Sequence, residues 1–265
     1  MSSKEYKRIV IKVGTSTLTH PGGGLNLARI ERLVRASCNL KNSGREVVIV
    51  TSGAVGVGVD KLGLPSKPTA LPDKQAAAAV GQCTLMHIYD KFFSEYGHKV
   101  AQLLLTRDVM EESGTRENVA NTFARLFEFG VVPIVNENDT VSVKELEHVT
   151  SFGDNDTLSA VVSTVCGADL LIILSDIEGL YDANPRTNPD AKLIPTVNEI
   201  TPEMRAGAGG AGTAGGTGGM HTKLIAADIA MNAGIDMFIA SGEDPSIISE
   251  IIDGHAIGTH FAAKR

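Results

Sequence analysis

The chain has 265 residues, 43% hydrophobic and 21% charged, which is ordinary for a globular protein with room for one large α/β domain or two small lobes. A net charge of −7 with a pI near 5.5 argues against an extended nucleic-acid surface, and no apolar run reaches the length of a membrane span. The polar start, Met1-Ser2-Ser3-Lys4, carries no signal-peptide apolar region, and Cys38, Cys83 and Cys166 show no metal spacing; a reduced cytoplasmic protein is expected, with the cysteines as small core fillers.

Apolar, β-branched runs at 8–13, 46–51, 100–105, 131–135, 170–174 and 237–240 predict strands. Helix-like stretches at 28–42, 73–96, 116–129 and 157–166 lie between them. Strands alternating with helices imply βαβ units and a mainly parallel sheet covered on both faces. In such a sheet, ligands gather at the carboxyl ends of the strands.

The first run ends in Lys12-Val13-Gly14-Thr15-Ser16. Glycine lets the backbone approach a phosphate, and a strand-end lysine can neutralise it. The spacing is not that of a Walker motif. By itself, a strand-end lysine such as Lys12 is more often a solvated surface residue. After the second run comes Thr51-Ser52-Gly53-Ala54-Val55-Gly56, a turn entering a helix. Its free backbone N–H groups make either an anion site or a simple N-cap.

Two acidic-amide clusters follow: Asn136-Glu137-Asn138-Asp139-Thr140, and Phe152-Gly153-Asp154-Asn155-Asp156-Thr157. Asn and Asp favour turns, which explains one such cluster better than two. Carboxylates beside amides suit a zwitterion: anions hold an ammonium, and amide N–H groups hold a carboxylate. Between the clusters, 141–152 reads as a surface hairpin or flap.

Ser175-Asp176-Ile177-Glu178-Gly179 follows the fifth run. An acidic residue there can bind ribose or base, hold magnesium through water, or belong to a plain turn. The polar stretch 181–202 reads as an irregular excursion. Segment 207–219 holds eight glycines. It reads as a mobile loop over a ligand rather than a linker, because the residues after it are too few for a separate core. Lys223 then falls in the first turn of a helix. A cation opposes the dipole there, so its placement suggests a polyanion. The seven histidines form no metal-binding spacing, and no structural metal, nucleophile elbow or Ser-His-Asp set is expected.

Together these segments resemble the amino acid kinase family, and within it the glutamate 5-kinase branch, from Lys12 to about Gly258. The resemblance is carried by IKVGTS (11–16), VTSGAVGVG (50–58), NENDT (136–140), FGDND (152–156), LSDIEGLYDANP (174–185) and GTGGMHTKL (216–224). NENDT followed by GDND is the part most specific to that branch. It implies a three-layer α-β-α sandwich, a single domain over 1–265. Residues to about 166 would bind glutamate, and those from about 167 would bind ATP. The implied reaction is phosphorylation of the L-glutamate side-chain carboxylate by ATP with Mg2+.

By the same resemblance, Lys12 and Lys223 neutralise the transferring phosphoryl group, and Asp156 orients both. Ser52, Gly53, Asn136, Asp139 and Asn155 hold glutamate, with Asp139 facing the α-ammonium. Ser175, Asp176, Thr217, Gly218, Gly219, Met220, His221, Thr222 and Lys223 join Lys12 around ATP.

His221 stands where a serine is common in the family, and Ser175 where a threonine is common. The C-terminal PUA domain of many members is expected to be absent. The stretch 141–152 is longer than in typical bacterial relatives, and inhibition by L-proline is expected from that region. A homodimer or tetramer is expected, with a separate glutamyl-phosphate reductase acting next, and no membrane or nucleic-acid partner. A related kinase with another acceptor and a non-catalytic nucleotide binder remain the alternatives. Asp139 argues against an acylated acceptor, and retention of Lys12, Lys223 and Asp156 argues against a pure binder.

Overall fold

The computed structural model describes residues 5–20, 24–141, 154–185, 187–208 and 219–264, without the side chains of 108 and 109. The expected flap therefore lies outside the described residues from 142 onward, as does the glycine-rich segment from 209 to 218.

The centre is an eight-stranded sheet: β1 (Arg8–Val13), β2 (Glu46–Val50), β3 (Val100–Leu105), β4 (Val132–Glu137), β5 (Leu170–Ser175), β6 (Thr196–Val197), β7 (Asp236–Ser241) and β8 (Thr259–Phe261). The order across it is β3-β4-β2-β1-β5-β7-β8-β6. Every adjacent pair is parallel except β7 with β8. The sheet is continuous through β1, which pairs β2 on one side and β5 on the other.

Side chains alternate across a strand, and both faces are buried. Val10 faces a core containing Phe123, Leu158, Val162, Leu224 and Met231. These come from α6 (Ser113–Glu128), α7 (Asn155–Cys166) and α9 (Met220–Asn232). Ile9, Ile11 and Val13 face the opposite core, with Ile30, Leu33, Tyr89, Phe93 and Ile248. Those come from α2 (Leu27–Asn42), α4 (Leu71–Glu95) and α10 (Ile247–Ile252). This is the three-layer α-β-α sandwich, and two-sided burial is why the central strands read as unbroken apolar runs.

Two further helices matter for the site. α1 (Thr15–Leu18) is a single turn after β1, and α3 (Ala54–Lys61) follows β2. α3 and α4 pack backbone to backbone through glycines. A Cβ on Gly58 would sit 1.8 Å from the Ala77 carbonyl oxygen, and one on Gly81 would sit 1.8 Å from that of Ala54.

Three details differ from the sequence reading. The excursion at 181–202 is not wholly irregular: Thr196–Val197 adds the edge strand β6 beside β8, and Tyr181 bridges Leu193. Cys83 is exposed, whereas Cys38 and Cys166 are buried; Cys83 borders a cavity beside α4. The strand expected at 237–240 is β7, which runs Asp236–Ser241 and has Asp236 itself buried. Its carboxylate accepts from the Tyr6 hydroxyl and the Ala263 backbone N–H, and it meets the His260 ring.

Candidate active site

The carboxyl ends of β1, β2, β4 and β5 bring the expected residues together. Lys12 is the penultimate residue of β1 and is only 8% exposed, which rules out a solvated surface lysine. Its Nζ lies 2.5 Å from Oδ1 of Asp156. Lys223, 5% exposed, places its Nζ 3.1 Å from Oδ2 of the same carboxylate. The Thr222 hydroxyl lies 2.9 Å from that Oδ2 as well. Asp156 is fully buried. Burial pushes its carboxyl up, but the two ammonium groups outweigh that and hold it at about 2.

This trio has one surplus positive charge. Gly14, two residues after Lys12, leaves room beside it: a Cβ there would meet Lys12 Nζ at 3.6 Å. Lys223 does sit in the first turn of α9, whose N-cap Gly219 offers no side chain to the free backbone N–H groups. Two converging cations at an uncapped helix start match the chemistry of a polyphosphate. Magnesium binds through phosphate oxygens and water with at most one or two carboxylates. A site whose carboxylate already pairs with two lysines fits an ion carried in by the nucleotide.

Asp154 plays a part that sequence reading left to the cluster as a whole. It is the N-cap of α7, accepting from the Asp156 and Thr157 backbone N–H groups at 2.7 and 2.9 Å. The turn-forming reading of the acidic cluster therefore holds for this residue. Burial, then the neighbouring Asp156 charge, raises its pKa.

The amides form a second group. Asn155 Nδ2 donates to the Thr51 carbonyl at 2.6 Å, Asn136 Oδ1 at 2.9 Å and Ser52 Oγ at 3.0 Å. Gly53, with φ of +91°, turns the chain into α3 in a conformation that favours glycine. Asn136 is 2% exposed. Its Oδ1 also accepts from the Glu137 backbone N–H, and its Nδ2 donates to Gln82 Oε1 at 2.8 Å. Gln82 was missed in the sequence. Its signal was its register with Ala78, Leu85 and Tyr89, the buried face of α4.

Beside this network lies a cavity of about 430 Å³, with Ala54, Ala78, Gln82, Glu137 and Asp139 in its wall. Asp139 thus faces a space large enough for an amino acid, away from the lysine pair. Asn138, Asp139 and Thr140 themselves form a turn after β4.

The remaining expected residues are placed less closely. Ser175 ends β5, buried, with its hydroxyl 3.2 Å from Asp176 Oδ1. Asp176 and His221 are exposed, and Met220 packs partly on the core. Thr217 and Gly218 lie outside the described residues.

Known proteins resemble this chain over nearly its whole length. The model of the amino acid kinase family matches residues 7–241. A glutamate 5-kinase of Clostridium perfringens is 59% identical over 262 residues, covering 99% of this chain and 97% of that protein. A glutamate 5-kinase of Listeria monocytogenes is 56% identical, covering 100% and 96%. Among solved structures, carbamate kinase from Giardia lamblia bound to AMP-PNP superposes with a TM-score of 0.70 at 16% identity, covering 97% of this chain and 99% of that one. UMP kinase from Bacillus anthracis gives 0.65 at 14%, covering 99% and 98%. At those identities the likeness concerns the fold.

Proposed function

The chain belongs to the amino acid kinase family, and on that premise we propose how its residues carry out the reaction of a glutamate 5-kinase. That reaction is ATP-dependent phosphorylation of the L-glutamate side-chain carboxylate to L-glutamyl 5-phosphate, the activated acid from which proline synthesis starts.

A glutamate carboxylate has a reference pKa of about 4.3. It is ionised at neutral pH and is its own nucleophile, so the site needs no general base. The problem is to bring two anions together and to neutralise charge on the phosphoryl group in flight. Lys12 and Lys223 supply the positive charge. Asp156 holds the two ammonium groups in place; bonded to both, it orients them and does not abstract a proton. Magnesium, carried in by the nucleotide, would supply further charge neutralisation beside Lys12 and Lys223.

Ser52, Gly53, Asn136 and Asn155 position the acceptor, and Asp139 pairs with its α-ammonium. Ser175, Asp176 and the 217–223 segment border the nucleotide. The single observation that carries this reading is the buried Asp156 shared by Lys12 and Lys223.

Finer points belong to the same reading. Residues to about 166 form the glutamate side of the single domain, and those from about 167 form the nucleotide side. The enzyme works in the cytoplasm; no described helix is long and apolar enough to cross a membrane. It acts as a homodimer or tetramer, passes its product to a separate reductase, and is inhibited by L-proline. Millimolar proline should shift the glutamate dependence to higher concentration; an unchanged curve removes that inhibition.

The decisive test uses ATP, magnesium, glutamate and hydroxylamine, which traps an acyl phosphate as a hydroxamate. L-Aspartate, N-acetylglutamate and no acceptor run alongside. Hydroxamate with glutamate alone is expected. Hydroxamate with N-acetylglutamate instead, or with no amino acid at all, overturns the assignment.

A further inference from the structure

Gln82 is only 7% exposed, yet its Nε2 has no hydrogen-bond partner among the described residues. The orientation of that amide follows from its neighbours. The Glu137 backbone N–H, which can only donate, points at Asn136 Oδ1. Asn136 must then present its NH2 to Gln82, which accepts through Oε1. The other end of Gln82 is therefore an NH2 group, and Gln82 lines the cavity together with Ala54 and Asp139. A buried donor without a partner is costly, so a ligand acceptor is the natural way to satisfy it.

From this we infer that Gln82 is a specificity-determining residue whose Nε2 donates to the α-carboxylate of the amino-acid substrate. The inference rests on the glutamate-kinase reading above and adds a contact to it. The chemistry fits the cavity. Asp139 offers an anion for the α-ammonium, while the α-carboxylate needs a donor that carries no proton-transfer role. The reacting side-chain carboxylate belongs at the lysine pair. The same glutamine has a second task through Oε1: it fixes Asn136, and through Asn136 Oδ1 it fixes Asn155. One residue thus ties recognition of the α-carbon end to the amides that meet the acceptor.

The test separates these two tasks. Gln82→Glu keeps an oxygen for Asn136 Nδ2 and removes the donor; Gln82→Leu removes both. For each protein, the KM for glutamate is compared with the inhibition constant of glutamate α-amide (isoglutamine), which lacks the α-carboxylate charge. In the wild type, glutamate should bind better than the amide. In Gln82→Glu, glutamate should weaken about 10- to 100-fold, as expected for losing a hydrogen bond to a charged group. The preference over the amide should collapse or invert, while the KM for ATP stays within about twofold. Should Gln82→Leu fail to fold, Gln82→Glu still tests the inference. An unchanged glutamate-to-amide ratio in Gln82→Glu overturns the inference, and so does a ratio that falls in Gln82→Glu but holds in the uncharged Gln82→Leu, because the added carboxylate alone would then account for it. A wild type that forms no glutamate hydroxamate overturns the functional reading instead, and this contact with it.

Discussion

Lys12 Nζ lies 2.5 Å from the Asp156 carboxylate, although one is the penultimate residue of the first strand and the other lies in the first turn of a helix far along the chain. Neither group is stable alone in that place. An unpaired buried charge costs several kcal/mol, and breaking a buried pair by removing one partner typically costs about 3–5 kcal/mol. The pair, extended by Lys223, ties β1 to α7 and α9.

Asp156→Asn should therefore lose both stability and activity. Two buried ammonium groups would share a neutral amide. Unfolding free energy should fall by about 3–5 kcal/mol, and turnover by several orders of magnitude. Its pH dependence is specific. The folded pKa is depressed from 3.8 to about 2, so the stabilisation is present in full above about 3.8 and is lost as pH falls toward 2. Urea melts of wild type and Asp156→Asn should differ by a constant amount from pH 5 to 8 and converge only in strong acid. A gap that changes through pH 6 would assign the effect to another group.

Lys223→Ala should separate charge neutralisation from substrate binding. Its ammonium acts where charge builds up on the phosphoryl group, so kcat should fall about 100- to 1,000-fold, as for loss of a donor to developing negative charge. The KM for glutamate should change little, because glutamate's own contacts lie on the other side of the site. Steady-state hydroxamate assays read both. An unaltered kcat would remove Lys223 from the chemistry.

Asp139→Ala should do the reverse. It lines the cavity rather than the lysine trio, and its proposed partner is the α-ammonium. The glutamate KM should rise by about 10-fold or more with kcat largely kept, the size expected for a charge-assisted contact. Discrimination against N-acetylglutamate should weaken with it. A fall in kcat at constant KM would place Asp139 in the transfer step.

These predictions draw on features that were unequally legible in the sequence. The sheet was readable because two-sided burial leaves strands such as Leu170–Ser175 almost wholly apolar. Short elements escaped: β6, β8 and α1 span two to four residues each, too few for any periodicity to emerge. The lysine pair could be suspected from strand-end and helix-start placement, but its shared carboxylate required three-dimensional proximity. Gln82 lay hidden in an alanine-rich helix, where a lone glutamine looks like surface. Only its alignment with Ala78 and Leu85 marked it as buried. Cys83, next to it, was expected inside for the same want of contrast between the faces of α4.

Gly81→Ala should dismantle this part of the site. A methyl group there would sit 1.8 Å from the Ala54 carbonyl oxygen, and backbone cannot yield as a side chain can. α3 must then move off α4, carrying Ala54 and the adjoining Ser52-Gly53 turn away from Gln82. Alanine normally favours a helix over glycine by about 1 kcal/mol; here overpacking, commonly about 1–3 kcal/mol and sometimes more, opposes and exceeds it. The melting temperature should drop and the glutamate KM should rise together. Gly114→Ala is the control, since a Cβ at that helical glycine meets nothing within 4 Å; its stability should hold or improve. Equal behaviour of the two variants would count against close packing of α3 on α4.

Asp154→Asn and Asp154→Ala should diverge. The side chain caps α7 through Oδ1, and its Oδ2 accepts from the Thr157 hydroxyl at 3.1 Å. Asparagine caps a helix as well as aspartate does, and alanine does not; the loss is typically about 0.5–2 kcal/mol. The charge itself is a burden here, because burial and then Asp156 raise the pKa of Asp154 above its ordinary 3.8. A raised carboxyl pKa means that ionisation costs stability at neutral pH, and that the cost disappears as pH falls through the folded pKa. Asp154→Asn removes that cost while keeping the cap, so at pH 7 it should be as stable as wild type or more so. Its advantage should shrink in acid. Asp154→Ala should be less stable than Asp154→Asn at every pH. Urea denaturation at pH 7 and pH 4 resolves the three proteins. An Asp154→Asn variant as unstable as Asp154→Ala would mean that the charge, not the cap, is what this position needs.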